Sequence, residues 1–214
     1  MRLPDELAVL PLFNTVVYPQ TVVPLAVSQP ESISLIDQAL VDGRPIALLA
    51  LKAEDERPLA VPPEALYRVG TAALVHKLLR LPDGTLRIAL QGLERVEVTE
   101  LRGEHPTYIA SIRAYPDIVD RHPEALMRQV IDLVDIMAPL IPQFPADILE
   151  EIRTEHDPGR LSYLVASSLQ ARLVERQSLL ELPSAVERLE HLSELLRRTI
   201  HILELGRQLR SSER

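Results

Sequence analysis

The chain has 214 residues, 46% of them hydrophobic and 25% charged, with 31 acidic residues against 23 basic and a net charge of −8. That length allows one large or two small domains of ordinary globular composition. Zero cysteines exclude disulfides and thiolate metal sites, no run of about 18 apolar residues is available to span a membrane, and an acidic chain without a basic tract is a poor partner for nucleic acid.

Up to Pro116 the pattern is β. Val16–Val17 and Val22–Val27 are β-branched runs on either side of Tyr18-Pro19, where proline should break the ladder and turn the chain. Ser28-Gln29-Pro30-Glu31 has the form of a capping box, with Ser28 as N-cap and Glu31 reaching back. The helix it opens carries Ile33, Ile36 and Leu40 on one face and ends at Gly43. Ile46–Leu51 is a continuous apolar run, the mark of a strand covered on both faces. Thr71–Leu79 and Thr85–Leu90 flank Leu81-Pro82-Asp83-Gly84, where Asp-Gly supplies the positive φ of a tight hairpin. Leu86, Ile88 and Leu90 alternate with Arg87 and Ala89, Val96 and Val98 alternate with Arg95 and Glu97, and Tyr108, Ala110 and Ile112 suggest a last strand.

After Pro116 the period changes to 3.6. Leu126, Val130, Leu133, Val134 and Met137 form a helical stripe that ends before Pro139. Pro142 and Pro145 bracket a loop, and Asp147–Arg153 has the look of a short helix. Asp157-Pro158 starts another, with Asp as cap and Pro at the first helical position, where its missing N–H is harmless. Ser184-Ala185-Val186-Glu187 is a second capping box. It opens a last helix with a seam of Val186, Leu189, Leu196, Ile200 and Leu203, in which Ser193 is a gap. Gly206, with Arg207 and Arg210 on the seam, should leave the last turns frayed. The expected class is α+β: a β lobe of about six strands over residues 1–116, then a bundle of about four helices over 117–214.

Catalytic motifs are missing. There is no Gly-Lys pair, so no Walker A loop, and no G-x-S-x-G. Ser167-Ser168 lies inside a helix pattern and reads as packing. The histidines show no i,i+4 pair, and His191 with Glu187 and Glu194 reads as a solvated face rather than a metal site. The same holds for Glu54-Asp55-Glu56, Glu150-Glu151, and Asp132 with Asp135. Neither a cofactor nor a metal is expected. The positions harder to dismiss are apolar: Val61, Pro62 and Pro63 after a charged loop; Leu78, Leu79 and Leu81 beside the hairpin; Pro142, Phe144 and Pro145 between helices. If exposed, the last six are substrate-contact candidates for unfolded chains; the alternative is core or loop packing.

Three long motifs carry a resemblance. LAVLPLFNTVVYPQTVVPLAV (Leu7–Val27), LYRVGTAALVHKLLRLPDGTLRIALQGLERVEV (Leu66–Val98) and DPGRLSYLVASSLQARLVERQSLLEL (Asp157–Leu182), in this order, resemble the N-terminal substrate-binding domain of the ATP-dependent protease Lon. The resemblance implies a PUA-like β pseudo-barrel followed by a helical bundle. It also implies a non-catalytic role in selecting unfolded, damaged or tagged polypeptides. The expected partners are ATPase and protease modules of the same family in a cytoplasmic homo-hexamer, with no nucleic acid and no membrane. Lys52 and Lys77 fall in no segment resembling the protease module, so its Ser–Lys dyad is not expected here. Phe13-Asn14 stands where the family often has Arg followed by Asp or Asn, and Gln20 replaces a common Gly. ILELGRQLRSSER resembles the family's linker helix, which favours an excised domain or a close stand-alone derivative. A free-standing small-ligand or RNA-binding PUA-like module is the alternative. The absence of Trp for an aromatic cage and of basic–aromatic interleaving opposes it.

Overall fold

The computed structural model describes residues 2–53, 60–104, 106–118 and 121–212. The acidic run at 54–56 and His105 lie outside the described residues. The strands are β1 (Glu6–Leu12), β2 (Val22–Val27), β3 (Ile46–Ala50), β4 (Val69–Arg80), β5 (Leu86–Glu104) and β6 (Thr107–Ala114). The helices are α1 (Pro30–Asp42), α2 (Glu124–Met137), α3 (Ala146–Thr154), α4 (Pro158–Ser168), α5 (Leu173–Glu181) and α6 (Ala185–Ser212). They form two compact units, Met1–Pro116 with Ala171–Glu181, and Asp117–Gln170 with Leu182–Arg214. Helix α5 packs with the strands rather than with the other helices.

In the first unit the sheet order is β2-β5-β4-β3-β1-β6, and a further β5–β6 pairing closes it on itself. Among the described strands only the β1–β3 pair is parallel. Closure depends on the length of β5, 19 residues. Its first part pairs with β2 and β4, and its last part with β6. Two strands were expected here; they are one. The glycine between them does not break the strand but allows a close approach: a Cβ at Gly92 would collide with the Tyr18 carbonyl. Gly92 instead exchanges hydrogen bonds with the bend, Gln20 N donating to its carbonyl at 3.0 Å and its own N–H donating to Thr21 O at 2.9 Å. Val16–Val17 is buried but lies outside the strands. There the Thr71 hydroxyl donates to the Val17 carbonyl at 2.6 Å.

The interior is apolar, built from Leu7, Val9, Leu49, Val96 and Tyr108 at one part and Leu10, Leu48, Ile36, Leu86 and Leu90 at another. Helix α1 contributes Ile36 and ends, as expected, at Gly43 with φ 60°. Its start differs from the expected box: Gln29 is the N-cap with no side-chain cap, and Pro30 holds the first turn.

Arg95 is only 4% exposed although it alternates with core valines. Its Nε donates to Tyr115 O at 2.8 Å, Nη1 to Leu180 O at 2.9 Å and Nη2 to Pro116 O at 3.0 Å. Helix α5 is further tied to the strands by Gln177 Nε2 donating to Val69 O at 2.9 Å and by the Tyr18 hydroxyl donating to Arg176 O at 2.9 Å.

In the second unit α2 buries Met127, Val130, Val134 and Met137, while Leu126 is only half-buried. Asp157 caps α4, its Oδ1 accepting from Arg160 N at 2.7 Å. Ser184 caps α6 through Glu187 N at 3.2 Å. The seam of α6 includes Leu192 as well as Leu189, Leu196 and Ile200. Ser193 fills its gap by donating to Leu189 O at 3.1 Å. Helix α6 runs to Ser212, with Ile202, Leu205 and Leu209 exposed. At the centre of this unit Arg188 is fully buried. It donates to Ser162 Oγ at 2.6 Å and Leu182 O at 2.7 Å, lies 4.1 Å from the Tyr163 ring, and makes a 3.0 Å ion pair with Asp117. That pair is a charge contact rather than a directed hydrogen bond, since the Nη2 geometry is poor.

Replacing Arg95 by Lys removes the planar fork while keeping the charge. The variant is expected to lose about 2–4 kcal/mol in urea unfolding, because the buried Leu180 carbonyl and the part-buried Tyr115 and Pro116 carbonyls cannot share one ammonium at hydrogen-bond distance. A loss below about 0.5 kcal/mol, the size of an ordinary surface change, would show that the clamp is not needed.

Candidate functional site

The apolar candidates beside the hairpin sit on a three-stranded ribbon, β2–β5–β4. Its register aligns Leu25 with Ile88 and Leu78, and Ala26 with Arg87 and Leu79. Partners directly opposite share a face, and neighbours along a strand point to opposite faces. Ile88 is buried, so Leu25 and Leu78 border the interior. Leu79, Arg87 and Ala26 therefore face outward. Leu78 (39% exposed) and Leu79 (55% exposed) do not form one patch, although they are adjacent in sequence. Leu81 is half-buried at the turn, its N–H donating to Thr85 O at 2.8 Å.

The outward face of this ribbon is wider than the sequence suggested. Val22, 65% exposed, lies opposite Gln91, and Pro24 lies opposite Ala89. With Ala26 and Leu79 they make an exposed strip of apolar residues interrupted by Arg87, by Gln91 with its His76 contact, and by Lys77, which the register sets opposite Ala89. A signal was present: the proline within VVPLAV marks an edge strand, and the run carries no polar residue on either alternating face. β2 is the edge of this ribbon. Pro24 within it lacks an N–H, which blunts the edge against joining another sheet. The strip thus offers side-chain contact while discouraging aggregation.

The hairpin that carries Leu78–Leu81 is pinned at its turn. Gly84 has φ 86°. Gly84 N donates to Leu81 O at 2.9 Å, and Thr85 N donates to Asp83 Oδ1 at 2.9 Å. That N–H holds the Asp83 carboxyl below its ordinary range. An exposed ion pair, Arg80 to Asp37 at 3.3 Å, links the hairpin to α1 and contributes little by itself.

The other candidates lie elsewhere. Pro142 and Pro145 are exposed and Phe144 is half-buried, in the loop of the second unit before α3, where Gln143 has φ 58°. Val61 is core, 4% exposed, and its carbonyl accepts from the Tyr108 hydroxyl at 2.7 Å; as a surface contact it is set aside. Ser167 and Ser168 donate back to Leu164 O and Val165 O, both at 2.8 Å, as helical serines do. Asp135 pairs with Arg153 at 2.8 Å. Among the described residues no three His, Asp or Glu side chains are grouped to hold a metal ion, and no helix is long and apolar enough to cross a membrane.

A PUA-like pseudo-barrel and a helical unit, with an exposed sheet face on the first, define an α+β protein. The chain belongs to the family described as the ATP-dependent protease La (LON) substrate-binding domain, whose family model matches residues 6–198. It is 48% identical over 213 residues to Lon protease 1 of Herpetosiphon aurantiacus, covering 98% of this chain and 26% of that one. To the Lon protease of Escherichia coli K12 it is 33% identical over 208 residues, covering 96% of this chain and 26% of that one. The chain spans about a quarter of the length of the curated relatives it matches. Among solved structures, the N-terminal domain of Mycobacterium avium complex Lon protease superposes with a TM-score of 0.67 at 22% identity, covering 90% of this chain and 98% of that one. The Lon N-terminal domain protein from Xanthomonas campestris gives 0.61 at 18% identity, covering 87% and 96%. These two likenesses speak for the fold.

Since the folded pKa of Asp83 is depressed, its bond to Thr85 supports the turn above the unfolded carboxyl value and is lost as pH falls through the folded value. The Thr85 amide resonance is expected to titrate with a midpoint below the ~3.9 of an unperturbed aspartate. A midpoint at or above that value would show that the turn bond does not form.

Proposed function

We propose that the chain is the substrate-recognition part of a Lon-type ATP-dependent protease, binding unfolded or tagged polypeptides that ATPase and protease modules then unfold and cut. On this reading the chain itself breaks no bond, works in the cytoplasm, and gains avidity when six copies are held together in a homo-hexamer. Family membership supports the general role. The single observation that carries the local reading is the outward strip of Val22, Pro24, Ala26 and Leu79 on the β2–β5–β4 ribbon.

An apolar surface of this kind fits a substrate that has lost its own core. A folded protein hides its apolar side chains; an unfolded one presents them without a fixed order. Contacts made through Val22 and Leu79 select on that difference and hardly on sequence. Leu78 contributes at the rim of the interior, and Leu81 by holding the turn. Pro142, Phe144 and Pro145 are proposed as a separate contact region on the second unit. A single copy is expected to bind weakly, in the micromolar range, roughly −8 kcal/mol at most.

The test is titration of a reduced, carboxymethylated protein and of its native form against the isolated chain. The unfolded form should bind and the native form should not. Leu79→Ser should weaken binding roughly tenfold, the effect of losing about 1.5 kcal/mol of apolar burial. Charge reversal at Arg87 should matter less. Equal binding of native and unfolded forms, or a larger effect at Arg87 than at Leu79, would refute recognition through apolar contact.

A further inference from the structure

A second surface of the first unit has a different character. Between α1 and the β1–β6 pair lies an open groove of about 1030 Å³. One wall is α1, where Leu35 and Ala39 stand between Glu31 and Asp42. The other wall is supplied by Ala8 of β1 and by Thr107 and Ile109 of β6, and Ile109 is 47% exposed. The groove is apolar along its middle and acidic at the two ends of its helical wall.

Its charges are unequally matched. Three carboxylates line it, Glu6, Glu31 and Asp42, against one guanidinium, Arg44. Glu6 is engaged by Arg102 on the sheet. Among the described residues Asp42 accepts from the neutral Gln38 amide at 3.0 Å and is in no ion pair, although Arg44 follows two positions on, and Glu31 has no partner. Glu31 is at home in the first turn of a helix, where the macrodipole favours it; Asp42, in the last turn, is placed against that field. A cation brought to Asp42 relieves that mismatch.

Spacing defines the occupant. Glu31 and Asp42 are eleven residues apart on one helix, about 16 Å at 1.5 Å per residue. An extended strand covers that distance in about five residues at 3.3 Å each. The polar lining groups Ser34, Gln38 and Thr107 are all exposed, so no buried hydrogen-bonding group is set to orient a small ligand.

We infer that this groove binds an extended polypeptide segment with an apolar centre and a basic residue at each end, about five positions apart. The inference rests on the recognition role proposed above and adds to it a sequence preference that the β2–β5–β4 strip does not supply. Basic ends pair with Glu31 and Asp42, while the centre lies against Leu35, Ala39, Ala8 and Ile109. An unfolded chain that carries such a segment has two points of attachment on one copy, one indifferent to sequence and one selective.

The test uses labelled, end-blocked peptides of sequence RVALAR, QVALAQ and EVALAE against the intact chain. RVALAR should bind tightest and EVALAE weakest, with the order fading between 50 mM and 500 mM salt. The double variant Glu31→Gln, Asp42→Asn changes only exposed side chains and should melt as the parent does. It should weaken RVALAR roughly three- to tenfold and abolish the order, the effect expected of two exposed charge pairs. Ile109→Ser should weaken all three peptides alike, and Leu79→Ser none of them. Equal binding of RVALAR and EVALAE, an unchanged affinity in the double variant, or a loss at Leu79→Ser as large as in the double variant would each overturn the groove assignment. Titration of the carboxymethylated protein separates the two readings. If it binds and responds to Leu79→Ser while the peptides show no order, the groove falls and the recognition role stands. If it does not bind, the recognition role falls, and the peptide order alone decides the groove.

Discussion

One buried guanidinium holds the first unit in shape. Arg95 directs its three nitrogens to the carbonyls of Tyr115, Pro116 and Leu180. Those carbonyls stand near the two places where the chain leaves this unit, after Pro116 and after Glu181. Backbone carbonyls there have no strand or helix partner to receive, and only arginine offers donors in a rigid planar fork. The Tyr115 ring, 4.3 Å from the guanidinium, covers it. Burying a charge is costly unless every donor is satisfied, so the clamp works only with both segments in place. Arg95 also sits on β5 opposite Thr71 of β4, one residue before the stretch that pairs with β6 begins at Val96.

The second unit repeats the device with different partners. Arg188 is fully buried, stacked on Tyr163, and shared between a hydroxyl, a carbonyl and the Asp117 carboxylate. The Tyr163 hydroxyl donates to the same carboxylate at 2.7 Å. Gly159 is the consequence: a Cβ there would come within 2.8 Å of Asp117 Oδ2. The motif Asp157-Pro158-Gly159-Arg160 therefore combines a cap, a helix-starting proline, a gap that admits Asp117, and an arginine that pairs with Glu151 and Glu155 at 2.5 and 2.9 Å. Both buried arginines fix backbone segments that have no regular partner. Neither faces a surface that could meet a substrate.

Much of this architecture was legible because it is local. The change of period near Pro116, the Asp-Gly turn, the Gly43 stop and the Asp157 and Ser184 caps each depend on a few adjacent residues, and the structure carries them. What was not legible depends on distant partners. Arg95 alternates with Val96 and Val98 as an outward residue would, and nothing nearby shows that Leu180, 85 positions on, closes over it. Helix α5 falls within the helical part of the sequence, yet Gln177 and Arg176 bind it to strands and loops more than 100 residues back. Gly92 resembles a strand end but is a point of close approach. The surface was half-visible for the same reason. Leu79 was in view, but its companions Val22, Pro24 and Ala26 come from a strand some fifty residues earlier, and only the register joins them. Motifs shared with the family are turns, caps and core positions, so they specify a fold and leave the contact surface to be read from geometry.

A recognition surface should respond locally when its ligand arrives. The most direct measurement is methyl NMR of the isolated chain as a carboxymethylated, unfolded protein is added. Val22 and Leu79 methyl resonances should shift and broaden with the titration, while buried Leu48 and Leu90 stay fixed and the native form of the same protein changes nothing. Shifts confined to the exposed Ile202, Leu205 and Leu209 of α6, with Val22 and Leu79 unmoved, would contradict recognition by the β2–β5–β4 ribbon.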